Sequence, residues 1–356
     1  MRDIGEETIR RIDWTELTPV VLLLRIFNIA LDVRVLLLAM IGFWLTAILN
    51  SFAGVLILNQ ELAKPLHWEM LRLSVPLDIL HPALVEAILS VRLNPKLLVW
   101  WLPCVVLIWT FCGGMICRIV AVRLTIDESE PTWNLFRFFR KRGISFVGAL
   151  AILLLGILCC FLPVKIAGWL MAVPVLNYVV VILLPIPLVF AFFTVLLAVG
   201  LAVGWMLLFA AVSVDGSDGF DAISRMFSYI FQRPLHYLVY WVCCIILGWL
   251  GFLLVQYLTF AMLFPLHWGD IVSDHVLVSF WLALIESLPF AYVLAWFWTS
   301  SVAIYLLLRR SVDATPFSEV YRVAPQKVRV LPTIKQDDRG APEIVPSEKT
   351  ASPPTE

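Results

Sequence analysis

Five stretches of this chain run for roughly 20 residues each without one charged side chain, the length a helix needs to cross a bilayer core. They are 35–58, 97–117, 144–162, 238–263 and 287–308. A sixth apolar run, 179–214, is longer and contains Pro185 and Pro187. Proline removes a backbone donor and disfavours a straight helix, so the entry near Pro185–Pro187 is expected to be kinked or broken, with a span over about 188–212. The chain is 61% hydrophobic and only 15% charged, with a mean hydropathy of +0.92. A soluble protein of 356 residues could not hide that much apolar surface, so lipid is the expected solvent.

Charge placement gives the orientation. Cytoplasmic loops carry an excess of Lys and Arg. With six spans and the N-terminus inside, all but five of the 26 Lys and Arg residues fall on the inner side; the five are Lys64, Arg72, Arg92, Lys96 and Lys165. Splitting 179–214 into two spans would place the basic C-terminus outside, so a single span fits better. The expected fold is an all-α membrane protein with six transmembrane helices, arranged as three helical hairpins with cytoplasmic interfacial helices. Residues 1–34 form a cytoplasmic N-terminus with an interfacial helix, 35–308 the six-span domain, and 323–356 a Pro-rich polar tail expected to be disordered. Charges run through the first thirty residues, so no cleaved leader is expected. The implied location is the bacterial cytoplasmic (inner) membrane, with both termini in the cytoplasm.

A repeat marks the inner segments. Asp127-x-Ser129 is followed by Arg137, and Asp215-x-Ser217 by Arg225, at the same offset. Asp13-x-Thr15 precedes Arg25 with two residues more, and Asp313-x-Thr315 precedes Arg322 with one fewer. Asp, Ser and Thr accept hydrogen bonds from free amides at a helix start. The pattern therefore predicts a turn, then a capped amphipathic helix in the inner interface. Copies in one orientation imply a parallel repeat about an axis along the membrane normal. Gly200 and Gly204 fit close helix packing, and Thr299 is expected to hydrogen-bond between helices.

The residues offer little chemistry. His67, His267, Asp270, Asp274 and His275 supply nitrogen and oxygen ligands on the outer side, but their spacing matches no established metal signature. Solvated loop side chains explain them as well. The seven cysteines lie in apolar runs and are expected to be packing residues. No Asp, Glu, Lys or His lies in the middle of a span, which counts against proton-coupled transport and intramembrane proteolysis. No phosphate loop, nucleophile elbow or His-Glu-x-x-His pair occurs, so no catalytic residue and no cofactor is expected. The formal net charge of zero argues against nucleic acid as a partner. The cluster Arg137-Phe-Phe-Arg140-Lys141-Arg142 fits anionic headgroups or a docked cytoplasmic protein.

The stretch Asp215-Gly-Ser-Asp-Gly-Phe-Asp-Ala222-Ile-Ser-Arg225, with Asp13-Trp14, Arg25-Ile-Phe27 and Arg309-Arg310-Ser-Val-Asp313, resembles uncharacterised bacterial multi-pass membrane proteins of planctomycete type. It is also distantly similar to the membrane domain of glycerophosphodiester phosphodiesterases, which share an acidic turn and an Ala-x-x-Arg-Ser-like helix. Here Met226 stands where that pattern has Ser. The resemblance implies an inner-membrane location and carries over no catalytic residue. The expected role is a non-enzymatic scaffold or accessory subunit of the cell envelope, with the lipid bilayer and membrane or cytoplasmic proteins as partners. A facilitator or transporter for a small solute or lipid is the alternative. An outward-facing metal enzyme built on His67, His267 and His275 is a third reading.

Overall fold

A computed structural model describes residues 21–58, 95–127, 130–269, 276–321, 333–336 and 342–345. Residues up to Tyr321 form one compact unit and those from Arg322 another.

The regular elements among the first unit's described residues are all helices. Its elements are α1 (Val21–Ala30), α2 (Val33–Leu58), α3 (Pro95–Ile126), α4 (Thr132–Met171), α5 (Leu176–Ile182), α6 (Pro185–Asp215), α7 (Gly219–Gln232), α8 (Pro234–Trp268), α9 (Val276–Glu286) and α10 (Leu288–Asp313). Five segments are long and apolar enough to cross a membrane: Trp101–Ile126, Thr132–Met171, Pro185–Asp215, Pro234–Leu266 and Leu277–Asp313. The pair α1 and α2, bent by 67° at its break, passes the same test jointly and would make a sixth. A multi-pass helical membrane protein follows.

The sequence explains the breaks. Pro185 falls in the first turn of α6, where its missing donor costs nothing, so the long apolar run divides into α5 and α6. Helix α4 is 40 residues long and overruns the expected span at both ends. On its N-terminal side the overrun is the basic stretch around Arg137–Arg142, which continues the helix with no separate interfacial segment.

Helix α10 is the hub. It packs against α1, α2, α3, α6 and α8. Helix α2 also lies on α3, and α4 on α6. Trp298 sits at the centre, 1% exposed, with its ring 4.9 Å from Phe209, 5.6 Å from Trp205 and 6.1 Å from Trp109. Gly113 makes room for it, since a Cβ there would lie 2.5 Å from the indole. Lipid is as apolar as leucine, so contact density rather than exclusion of water holds such helices together.

Burial is uneven along the helices. In α6 the buried residues begin at Gly200 and run to Val214; in α4 they stop at Leu153. The packed half is thus the end where α3, α6 and α10 finish and α4 and α8 begin, here called the basic end. Two expectations change within it. Gly200 and Gly204 seat α7 rather than another span: a Cβ on Gly200 would lie 2.2 Å from Phe227, and one on Gly204 2.6 Å from Met226. Thr299 donates to Ala295 and Trp296 carbonyls of its own helix, because a threonine hydroxyl reaches back one turn more readily than across.

In the second unit, β1 (Thr333–Gln336) pairs antiparallel with β2 (Pro342–Val345), placing Ile334 opposite Ile344. The tail composition had argued for disorder. Its Thr-Ile-Lys and Glu-Ile-Val segments nevertheless carry the β-branched residues that fit a short ladder.

Candidate functional site

Among the described residues, ion pairs cluster at the basic end. Helix α6 ends at Asp215, and Gly216 follows in the left-handed conformation at φ 62°. Only glycine fits there, because a Cβ would lie 2.5 Å from the Tyr321 ring stacked over it. The turn leads to Asp218, whose carboxylate accepts from the Asp221 amide at 3.0 Å and caps α7. Arg225 on α7 bonds Asp221 one turn back at 3.0 Å and Asp215 at 2.9 Å.

Asp215 is the junction. Besides Arg225, it takes Arg309 of α10 at 3.2 Å and a hydrogen bond donated by the Tyr305 hydroxyl. The Asp215 and Arg309 side chains are 8% and 7% exposed. A carboxylate that deep requires such partners, since an unpaired buried charge costs several kcal/mol, on the order of 3–5. Arg309 also donates to the Glu319 carbonyl at 2.8 Å, and the Tyr321 amide donates to the Val214 carbonyl at 2.8 Å. The segment after α10 is thereby strapped across the end of α6. A cavity of about 310 Å³ lies under it, lined by Asp215, Arg225, Arg309, Glu319, Val320 and Tyr321.

A second junction lies beside the first. Arg118 of α3, with a side chain 2% exposed, donates to Glu130 at 3.0 Å and to the Ser213 carbonyl at 3.0 Å. Its guanidinium also stacks 4.5 Å from the Phe138 ring centre. Arg123 pairs with Asp32, and Arg25 with Asp127 at 2.5 Å. The Tyr229 hydroxyl donates to Asp313. Burial first, then that bond, pushes the Tyr229 phenol above its ordinary value. Tyr321 is drawn the other way, chiefly by its hydrogen bond with Lys141, with Arg142 adding to it.

The repeat residues therefore do work different from that expected. Asp215 and Asp313 close the preceding helix rather than cap the next one. A left-handed residue follows each of these helix ends, at the Asp itself in one copy (Asp127, φ 63°) and one residue after it in the other two (Gly216, 62°, and Ala314, 53°). Ser217 is buried, and its hydroxyl has no hydrogen-bond partner among the described residues; the neighbouring Asp218 is the cap. The Arg residues do not follow one rule either. Arg225 bonds the aspartate of its own copy, and Arg25 bonds that of the next. Arg137 lies exposed on α4, and Thr315 is half-buried after α10. Asp13, Thr15, Ser129 and Arg322 lie outside the described residues, as do His67, Asp270, Asp274 and His275. His267 falls near the end of α8, but its side chain is also outside the description. Among the described residues no group of His, Cys, Asp or Glu is arranged to hold a metal.

Tyr305, Tyr229, Arg118 and Tyr321 were not singled out by the sequence. A basic residue directly after an apolar run, as Arg118 is, was the available signal. It served only to assign sidedness.

No family model, no curated protein and no solved structure matches the chain.

Proposed function

We propose that this protein is a non-enzymatic scaffold or accessory subunit of the bacterial inner membrane, with six spans as three hairpins and its basic end in the cytoplasm. The N-terminal part of α4 carries the reading. Trp133 and Phe136 are 70% and 56% exposed there, beside exposed Arg137, Arg140 and Lys141. Apolar rings next to cations on a rigid helix form a surface for anionic headgroups or for a cytoplasmic protein. The charges beneath it are tied to one another, which fixes the platform rather than offering a reactive group. Trp298 and its aromatic neighbours fill the interior below, which supports a scaffold over the alternative of a facilitator for a small solute or lipid.

The experiment has two arms. Purified protein in sealed vesicles should leave solute and lipid movement at the rate of empty vesicles. In native membranes, a crosslinker placed at Phe136 should trap one protein in fixed ratio, and Arg137→Glu with Arg140→Glu should abolish that adduct. Saturable flux through the vesicles would overturn the scaffold reading.

A further inference from the structure

Two helices measure the membrane independently. Glu286, the last residue of α9, and Arg309 in α10 bracket residues 287–308, and in α4, Arg142 and Lys165 bracket residues 143–164. Both intervals hold about 22 residues, ~33 Å at the rise of an α-helix, which matches a bilayer core. Lys165 and Glu286 thus mark one boundary, at the end opposite the basic cluster. Yet α4 continues apolar to Met171, α5 follows, and α6 begins at Pro185. No charged residue occurs between Lys165 and Asp215. Counting about 22 residues back from Asp215 puts the same boundary near Phe193 in α6.

A cap of roughly 27 apolar residues, 166–192, therefore lies beyond the boundary that the charges set. Val180 is buried, but most of the cap is exposed: Trp169 66%, Val175 74%, Tyr178 72% and Ile182 77%. A helix docked on another protein keeps a polar back, but α5 (Leu-Asn-Tyr-Val-Val-Val-Ile) has none beyond Asn177. An apolar patch this size does not face water in a monomeric soluble surface. It is also continuous with the lipid-facing flanks of α4 and α6, where Leu155, Leu158, Val195 and Val199 are exposed.

We infer that the α4–α5–α6 cap is immersed in the acyl chains of the opposite leaflet, and that the membrane rises around it. The overhang along α4 from Lys165 to Met171 is about 9 Å, within the reach of a locally thickened leaflet and a snorkelling lysine. Because the Cα–Cβ bond of Lys165 tilts toward the basic end, its four-carbon stem must bend back for the ammonium to reach the headgroup phosphates. The connection between these two spans is a lipid-embedded element, not an aqueous loop.

Wild-type protein reconstituted in vesicles with a phospholipid carrying a diazirine in its acyl chain tests this. Photo-adducts should map to peptides within 166–192 as densely as to the flanks of α4 and α6, and hydroxyl radicals generated in the water should leave Trp169 and Tyr178 unmodified. The same protection should hold at low protein-to-lipid ratio. Adducts that stop at Lys165, with oxidised Trp169 and Tyr178, would overturn the inference in favour of a solvated cap. Protection from both reagents, in native membranes or only at high protein density, would overturn it in favour of a protein partner or a second copy.

Discussion

Trp298 and Trp169 are the same side chain in opposite circumstances, one 1% and the other 66% exposed. Around Trp298, each neighbour is cut to fit: Gly113 for the indole face, and rings from α3 and α6 at 4.9–6.1 Å. Around Trp169, nothing is specified. The difference follows from what each half must do with its polar groups. At the basic end, backbone turns and charges have to be satisfied at fixed positions, so the helices carrying them are locked in register. At the other end the helices meet a solvent as apolar as themselves, and no contact needs to be unique.

Truncating the two tryptophans should separate the halves most. Trp298→Ala leaves a cavity in a close-packed site and should cost about 3–5 kcal/mol, while Trp169→Ala should stay within about 0.5 kcal/mol. Thermal unfolding in one detergent checks both, and equal losses would erase the contrast. Next comes Arg118→Met, which strands Glu130 beside an apolar wall; a loss of about 3 kcal/mol is expected, with part restored by adding Glu130→Gln. No recovery in the double variant would mean that the stack on Phe138 and the Ser213 bond dominate. Gly204→Leu drives a side chain into Met226 and Ile230 and should cost about 1–3 kcal/mol. Hydrogen exchange should accelerate in α7 and not in α10.

The smallest effect is one of pH. The Tyr229 phenol is held above its ordinary value, so its bond to Asp313 contributes fully below about pH 10 and is lost as pH rises further. Stability should fall over that window by about 1 kcal/mol or less, and Tyr229→Phe should flatten the fall.

Much of the packed half was legible in outline and little in detail. Charge-free runs located the long helices, and Pro185 marked the break before α6, because helix length and missing donors are local properties. The Asp-x-Ser/Thr pattern correctly drew attention to Asp215 and Arg225. It assigned them a capping role because Asp and Ser are the usual caps, and the sequence does not show that Arg309 and Tyr305 arrive from about 90 residues away to claim the same carboxylate. Tyr321 stacking on Gly216 is likewise a contact between distant segments. The cap at 166–192 was visible as apolar composition, but most of it was left outside the spans, because one span was ended at Leu162 before Lys165 and the next was begun after Pro187. Helix α4 passes Lys165 without a break, since a single lysine neither weakens a helix nor prevents burial of its stem.

The proposed function puts the basic end inside the cell and the opposite end outside it. Single cysteines at Ser224 on α7 and at Gly269 after α8, in a chain with its native cysteines replaced, test this with a membrane-impermeant maleimide. Gly269→Cys should label in intact cells, and Ser224→Cys only after the inner face is exposed in inverted vesicles. Labelling of both positions from one side, or the reverse assignment, would contradict it.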